Sequence, residues 1–312
     1  MRVLVCILAS VWAQAMVAQS APDALAGQRA LIAAGSLEQA EASLHAYLKD
    51  NPASADAHFL LGYVFFRAQK AKESLAEFTK GAQVRRPTSG ELETVASDYV
   101  LLGDFSDADK WFSEVTVEVP GNARAWYLLG RTKYNEELYE QAISSFERSL
   151  SLHPLDVEAE NNLGLSLRGV NKLELAKAAF QNAIDWQGMP ASDAQPFLNL
   201  GVLLADQGES DKAISMLAKA VALAPENPEA HEQLGAAYLK KDDLSKARSE
   251  METAVKLSPE TSALHYVLGT IYRKQKLADL AQREFDICTK LNSTHSSNIT
   301  PNPFQPTPSM PR

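Results

Sequence analysis

The sequence predicts an all-α solenoid of about eight antiparallel helix pairs, and three observations carry that prediction. A pattern of small and bulky residues returns every 34 residues, proline closes most of the units so formed, and apolar residues inside a unit recur at helical rather than strand spacing. The units begin at Ala21, Ala55, Ser89, Ala123, Val157, Ala194, Pro228 and Ser262, with one irregular step of 37 residues before Ala194.

Within a unit the eighth residue is Gly62, Gly130, Gly164, Gly201, Gly235 or Gly269, with Gln28 and Ala96 as exceptions, and leucine precedes each of these glycines. The twentieth is alanine (Ala40, Ala108, Ala142, Ala176, Ala213, Ala247, Ala281), with Ser74 the one substitute. Four places later stands a bulky apolar residue: Leu44, Phe78, Phe112, Phe146, Phe180, Leu217, Met251 or Phe285. Small residues belong where two helices touch, and the bulky one fills the space beside them. In the fourth unit Trp126, Leu129, Gly130 and Lys133 share a face, Leu138 and Tyr139 bridge a short turn, and Ala142, Phe146 and Leu150 line the second helix. Pro52, Pro120, Pro154, Pro225 and Pro259 end their units, since proline cannot continue a helix. No unit can bury its apolar face alone, so the units must stack. The longer step places extra residues around Gly188, Met189 and Pro190, read as a tolerated loop over residues 186–193 rather than a binding element.

The two ends differ from the repeats. Residues 1–20 carry Arg2, an apolar run from Val3 to Val17 and small residues at Ala13, Ala15, Ala18 and Ser20, the pattern of a cleaved signal peptide. The run is broken by Gln14 and is too short for a spanning helix, so no stable membrane span is expected after cleavage, and the protein is expected to be exported to a periplasmic or secreted location. Cleavage would remove Cys6, leave Cys288 as the mature thiol, exclude an internal disulfide and move the formal net charge from -9 to -10. That charge argues against a nucleic-acid partner. Residues 293–312, rich in Ser, Thr, Asn and Pro, read as a disordered tail. It offers no obvious amphipathic helix to cover the last repeat, which leaves self-association through that repeat open. Asn292-Ser293-Thr294 and Asn298-Ile299-Thr300 match the glycosylation acceptor pattern.

Templates for chemistry find no match. There is no His-Glu-x-x-His, Cys-x-x-Cys, glycine-rich phosphate loop or Gly-x-Ser-x-Gly; the nearest run, Gly164 to Arg168, lacks the second glycine. His58, His231 and His265 share the fourth position of their units with Trp126 and Phe197, so each imidazole reads as a packing ring rather than a metal ligand. No cofactor, metal or enzymatic activity is expected.

The recurring positions resemble the tetratricopeptide repeat family over residues 21 to 292. The resemblance implies a right-handed superhelical solenoid whose first helices line a concave groove for a protein or peptide partner. On that face stand Phe59, Tyr63 and Phe66 in the second unit, Arg124, Tyr127, Arg131 and Tyr134 in the fourth, Asn161 and Arg168 in the fifth, and Tyr266 and Arg273 in the eighth. Arginines over aromatic residues suit an extended peptide carrying a carboxylate; the alternative is that the aromatics pack between helices and the arginines pair with local acids such as Glu158. The carboxylate clamp of one family subset is not reproduced, because Phe59, Glu93 and Tyr127 stand where it would want lysines. The function expected is an exported scaffold or adaptor. A helper in envelope polysaccharide binding or export is the rival reading, distinguished by affinity that salt leaves unchanged.

Overall fold

The computed structural model describes residues 23–297; the expected signal segment and residues 298–312 of the expected tail lie outside them. The described residues form sixteen α-helices and no strand: α1 (Ala26–Ala33), α2 (Leu37–Asp50), α3 (Ala55–Arg67), α4 (Ala71–Ala82), α5 (Ser89–Leu101), α6 (Phe105–Glu118), α7 (Ala123–Asn135), α8 (Tyr139–Leu152), α9 (Val157–Gly169), α10 (Leu173–Asp185), α11 (Gln195–Asp206), α12 (Ser210–Leu223), α13 (Pro228–Lys240), α14 (Leu244–Leu257), α15 (Ser262–Lys274) and α16 (Ala278–Ser297). Two compact units result, one ending at Leu102 and holding α1–α5, the other starting at Gly103 and holding α6–α16. The unit read from Ser89 is thereby divided between them. Residues 293–297, read from sequence as the start of the tail, continue α16. Tyr139, read as part of a turn, is the first residue of α8.

Local chemistry sets the helix boundaries. Before the first helices stand Ser54, Asn122, Asp156 and Asn227, whose side chains accept an N–H of the opening turn. Thr88 makes a full capping box with Glu91. Between the helices of a unit one residue always takes the left-handed conformation: Gly35, Gln69, Gly103, Glu137, Asn171, Gly208, Asp242 and Lys276. The next N–H then reaches back to the first helix, as from Lys70 to Phe65 O at 2.9 Å and from Lys172 to Leu167 O at 2.8 Å. Within each compact unit these short turns fold the paired helices antiparallel. The longer connection before α11 is organised by Gln187, whose Oε1 accepts the N–H groups of Ser192 and Asp193.

In four pairs the core is a phenylalanine ring laid on a glycine, and Leu217 and Met251 take the place of the ring over Gly201 and Gly235. Phe146, Phe180, Leu217 and Met251 are fully buried. A Cβ built on Gly164 would come within 2.6 Å of the Phe180 ring, and one on Gly130 within 2.7 Å of Phe146.

The three histidines pack in the core as read, and they also tie three segments together. Nδ1 of His58, His231 and His265 lies 2.6, 2.7 and 2.6 Å from Glu77, Glu250 and Glu284 on the second helix of the same unit. Nε2 lies 3.0, 3.0 and 2.8 Å from the carbonyls of Pro52, Pro225 and Pro259 in the turn before the unit. Trp126 donates its indole N–H to Pro120 O at 3.1 Å in the same way.

One core position departs from this economy. Thr132 and Ser166, buried at the tenth place of their units, satisfy their hydroxyls on the carbonyls of Leu128 and Asn162, so Ser166 has a structural role. Asp98 holds the equivalent place on α5, fully buried, with no hydrogen-bond partner for either carboxyl oxygen among the described residues. Burial pushes its carboxyl up to about 7, the nearby Ser74 hydroxyl offsetting only part of the effect.

Gly164→Ala should lower stability by about 1–2 kcal/mol, because overpacking against a buried ring outweighs the gain in helix propensity. Gly235→Ala should cost less than Gly164→Ala, since the nearest atoms, Ala247 O and the mobile end of Met251, lie 3.3 Å away; urea unfolding followed by circular dichroism separates the two. For Asp98 the folded value is raised above the unfolded one, so stability is full near pH 4, falls as pH rises, and levels off above about 7. Asp98→Asn should therefore be more stable than wild type by about 2 kcal/mol at pH 8, with the advantage vanishing near pH 4.

Candidate functional site

The residues nominated from sequence fall in both compact units. In the first, Phe59 is only 2% exposed, packed against Phe78 with ring centroids 5.7 Å apart and lying over Gly81. Its other face is covered by the Arg85 guanidinium at 4.4 Å. Phe59 is thus a core residue, which corrects its place on an open surface. Tyr63 and Phe66 are half-buried, with rings 6.2 Å apart. A hollow of about 250 Å³ lies beside Tyr63 and Leu60. Its charges are already paired: Arg85 binds Asp56 at 2.7 Å and Glu91 at 2.8 Å, and Arg29 binds Asp23 at 3.0 Å.

In the second unit consecutive first helices α7, α9, α11 and α13 touch one another. Spacings of four and three residues align one face of each: Tyr127, Arg131 and Tyr134 on α7; Asn161, Leu165 and Arg168 on α9; Leu198, Val202 and Ala205 on α11; Glu232, Ala236 and Leu239 on α13. Side chains stitch these helices together. The Tyr127 hydroxyl donates to Glu158 at 3.0 Å, and Lys240 reaches Ala205 O at 2.8 Å. Burial and Glu158 push the Tyr127 hydroxyl up to about 12, against the opposing pull of Arg131. Asn161 is buried and accepts from the Asn199 amide at 2.8 Å, so it joins α9 to α11 instead of facing a ligand, a second correction.

What remains open is distinct. Arg131 is exposed, its guanidinium 5.8 Å from the Tyr127 ring centre, and Arg168 is half-buried. Neither has a carboxylate within ion-pair distance among the described residues. Tyr134 stands edge-on to Tyr139 at 5.5 Å. Leu165, Val202, Ala205 and Leu239 keep partly exposed side chains between these groups. Arg124 is exposed and already partnered, and with Tyr127, His153 and Asp156 it borders a hollow of about 350 Å³. At the far end Tyr266 is 57% exposed with its ring 5.9 Å from Phe285, over which Arg273 also lies at 5.6 Å.

Another cleft, of about 430 Å³, opens between the second helices α10 and α12 over Leu200, Leu204 and Met216. No nominated residue lines it, and its lysines, Lys177 and Lys212, both converge on Glu209 at 2.6 and 2.5 Å. Among the described residues no group of three or more His, Cys, Asp or Glu side chains is placed to hold a metal ion, and no helix is long and apolar enough to cross a membrane.

Comparison with known proteins agrees with this geometry. Sequence models of the tetratricopeptide repeat match residues 28–89, 123–154, 161–228 and 204–271, together about two thirds of the chain. Among curated proteins, the human protein O-mannosyl-transferase TMTC1 is 25% identical over 179 residues, which cover 56% of this chain and 20% of that protein. The chain thus spans about a fifth of that relative's length. Among solved structures, a tetratricopeptide repeat protein from Parabacteroides merdae superposes with a TM-score of 0.63 at 19% identity, covering 79% of this chain and 96% of that one. A chain of the APC/C hetero-tetramer Cut9-Hcn1 gives 0.60 at 18% identity, covering 86% and 52%. At such identities these structures speak for the fold alone. Paired helices, the glycine-on-ring core and the sequence matches together make this chain a member of the tetratricopeptide repeat family.

Proposed function

We propose that this chain is an exported, non-enzymatic scaffold that binds another protein through the face of α7, α9, α11 and α13 in the second compact unit. One observation carries the choice of face. Arg131 and Arg168 stand beside a strip of partly exposed apolar side chains with no carboxylate in ion-pair range among the described residues, whereas the lysines of the cleft between α10 and α12 are both ion-paired to Glu209. An arginine fork beside apolar surface is suited to a partner's carboxylate, and arginine and tyrosine dominate the energetics of such contacts. Fold-level likeness supports the general role of protein binding, while the site rests on these residues. Export rests on the composition of residues 1–20.

The test is a pulldown from an envelope fraction of the native host with protein starting at residue 21, beside an Arg131→Ala, Tyr134→Ala, Arg168→Ala variant of matched circular dichroism. A partner held by the first should be retained at least tenfold less by the variant, since losing one such contact typically costs more than 1 kcal/mol. Equal retention by both proteins would place the binding surface elsewhere.

A further inference from the structure

The same face carries a second unpaired charge of opposite sign. On α13, Glu229 is exposed and Glu232 half-buried, one helical turn apart, and neither has a cation within ion-pair distance among the described residues. Burial pushes the Glu232 carboxyl up, and the neighbouring Glu229 charge adds to the effect. Two carboxylates one turn apart, Glu232 partly out of water and Glu229 beside it in solvent, with no cation paired to either among the described residues, are complementary to an incoming ammonium or guanidinium. Equivalent places on the preceding first helices are satisfied internally: Glu158 by the Tyr127 hydroxyl, Asn161 by Asn199, and Gln195 by Asn199 at 3.3 Å. The acidic pair on α13 and the arginines on α7 and α9 are therefore the charges left for a ligand, and Leu165, Val202 and Ala236 line the way between them.

Resting on the reading above that this face binds a peptide, we propose that its ligand is an extended segment with an acidic and a basic residue about six positions apart and apolar side chains between, the acid lying at Arg131 and Arg168 and the base at Glu229 and Glu232. The spacing follows from helix geometry. From α9 to α13 is two steps of ~8–10 Å, and from the level of Arg168 to that of Glu232 is seven residues at ~1.5 Å each. The diagonal is ~20 Å, which an extended chain covers in about six residues at ~3.3 Å apiece. With alternate residues on one side, the acid, two apolar residues and the base all face the protein.

The experiment uses three terminally blocked heptapeptides, DSVSVSK, its reverse KSVSVSD, and the composition-matched SVDKVSS, titrated into the protein from residue 21 and followed by NMR shifts. One of the two spaced peptides should bind at least tenfold more tightly than the matched control. Glu229→Gln with Glu232→Gln should abolish that preference, and replacing the peptide's lysine by glutamine should then cost nothing further. Equal affinity for all three peptides, an unchanged preference in the double variant, or no binding by any of them at millimolar concentration would each overturn the proposal. Loss of a native partner in the arginine and tyrosine variant, found together with any of these results, would leave the general reading of the face intact and remove only the charge spacing.

Discussion

At Gly62, Gly130, Gly164 and Gly269 the first helix of a pair has no side chain, and a phenylalanine ring of the second helix lies against the bare backbone. That contact sets how closely the two helices approach and leaves their flanks apolar, so each pair must be covered by the next. It also sets the rotation of the first helix. With about 100° per residue, Asn161, Leu165 and Arg168 lie on average about 70° round the axis from Gly164. The direction in which the candidate face points is thus a by-product of the packing contact, and a change at the glycine would turn or displace it.

A second device joins one unit to the next. A backbone carbonyl can only accept, so Nε2 of His58, His231 and His265 must carry a hydrogen toward its proline carbonyl. Nδ1 then faces a glutamate oxygen, and one more proton must lie between them. For Glu77, burial pushes the carboxyl up, yet hydrogen bonds from Lys80 and His58 hold it below its ordinary value. Trp126 makes the carbonyl bond without a glutamate partner, and Phe197 makes neither. The stack therefore tolerates variation in this joint, as it does at the ring contact, where Leu217 and Met251 replace phenylalanine.

The fold was legible because its core is local and periodic. Glycine, alanine and aromatic residues at fixed places in a 34-residue unit announce two helices touching, and Ala55, Ala123, Val157, Pro228 and Ser262 do begin helices. The turns were less legible, because the left-handed residue is glycine in Gly35, Gly103 and Gly208 but Gln69, Glu137, Asn171, Asp242 and Lys276 elsewhere. The site was harder still. Position in the repeat says which side of a helix a residue takes, but not whether a neighbour covers it, so Phe59 and Tyr63, one turn apart, read alike although one is sealed under Arg85. Arg85 lies in the connection after α4, outside the periodic positions, and could not be found by register. The spacing of six residues from proline to histidine and nineteen from histidine to glutamate was present in the sequence, yet nothing in periodicity alone connects the three.

Charge placement on the candidate face has two causes that can be separated. Acidic residues in a first turn and basic residues in a last turn complement the helix dipole, and Glu229, Arg168 and Arg273 obey that rule. The dipole is axial, however, and is indifferent to the side of the helix on which a charge stands. It also gives no reason for Arg131 in the middle of α7 or for Glu232 beyond the first turn of α13. Had these groups served only solubility, the exposed flank would keep them fully hydrated at no desolvation cost. Instead Arg168 and Glu232 are half-buried beside apolar side chains, unpaired among the described residues. Partly desolvated charge without a partner destabilises the isolated chain, and a ligand that supplies both counter-charges at the right separation would recover that free energy on binding.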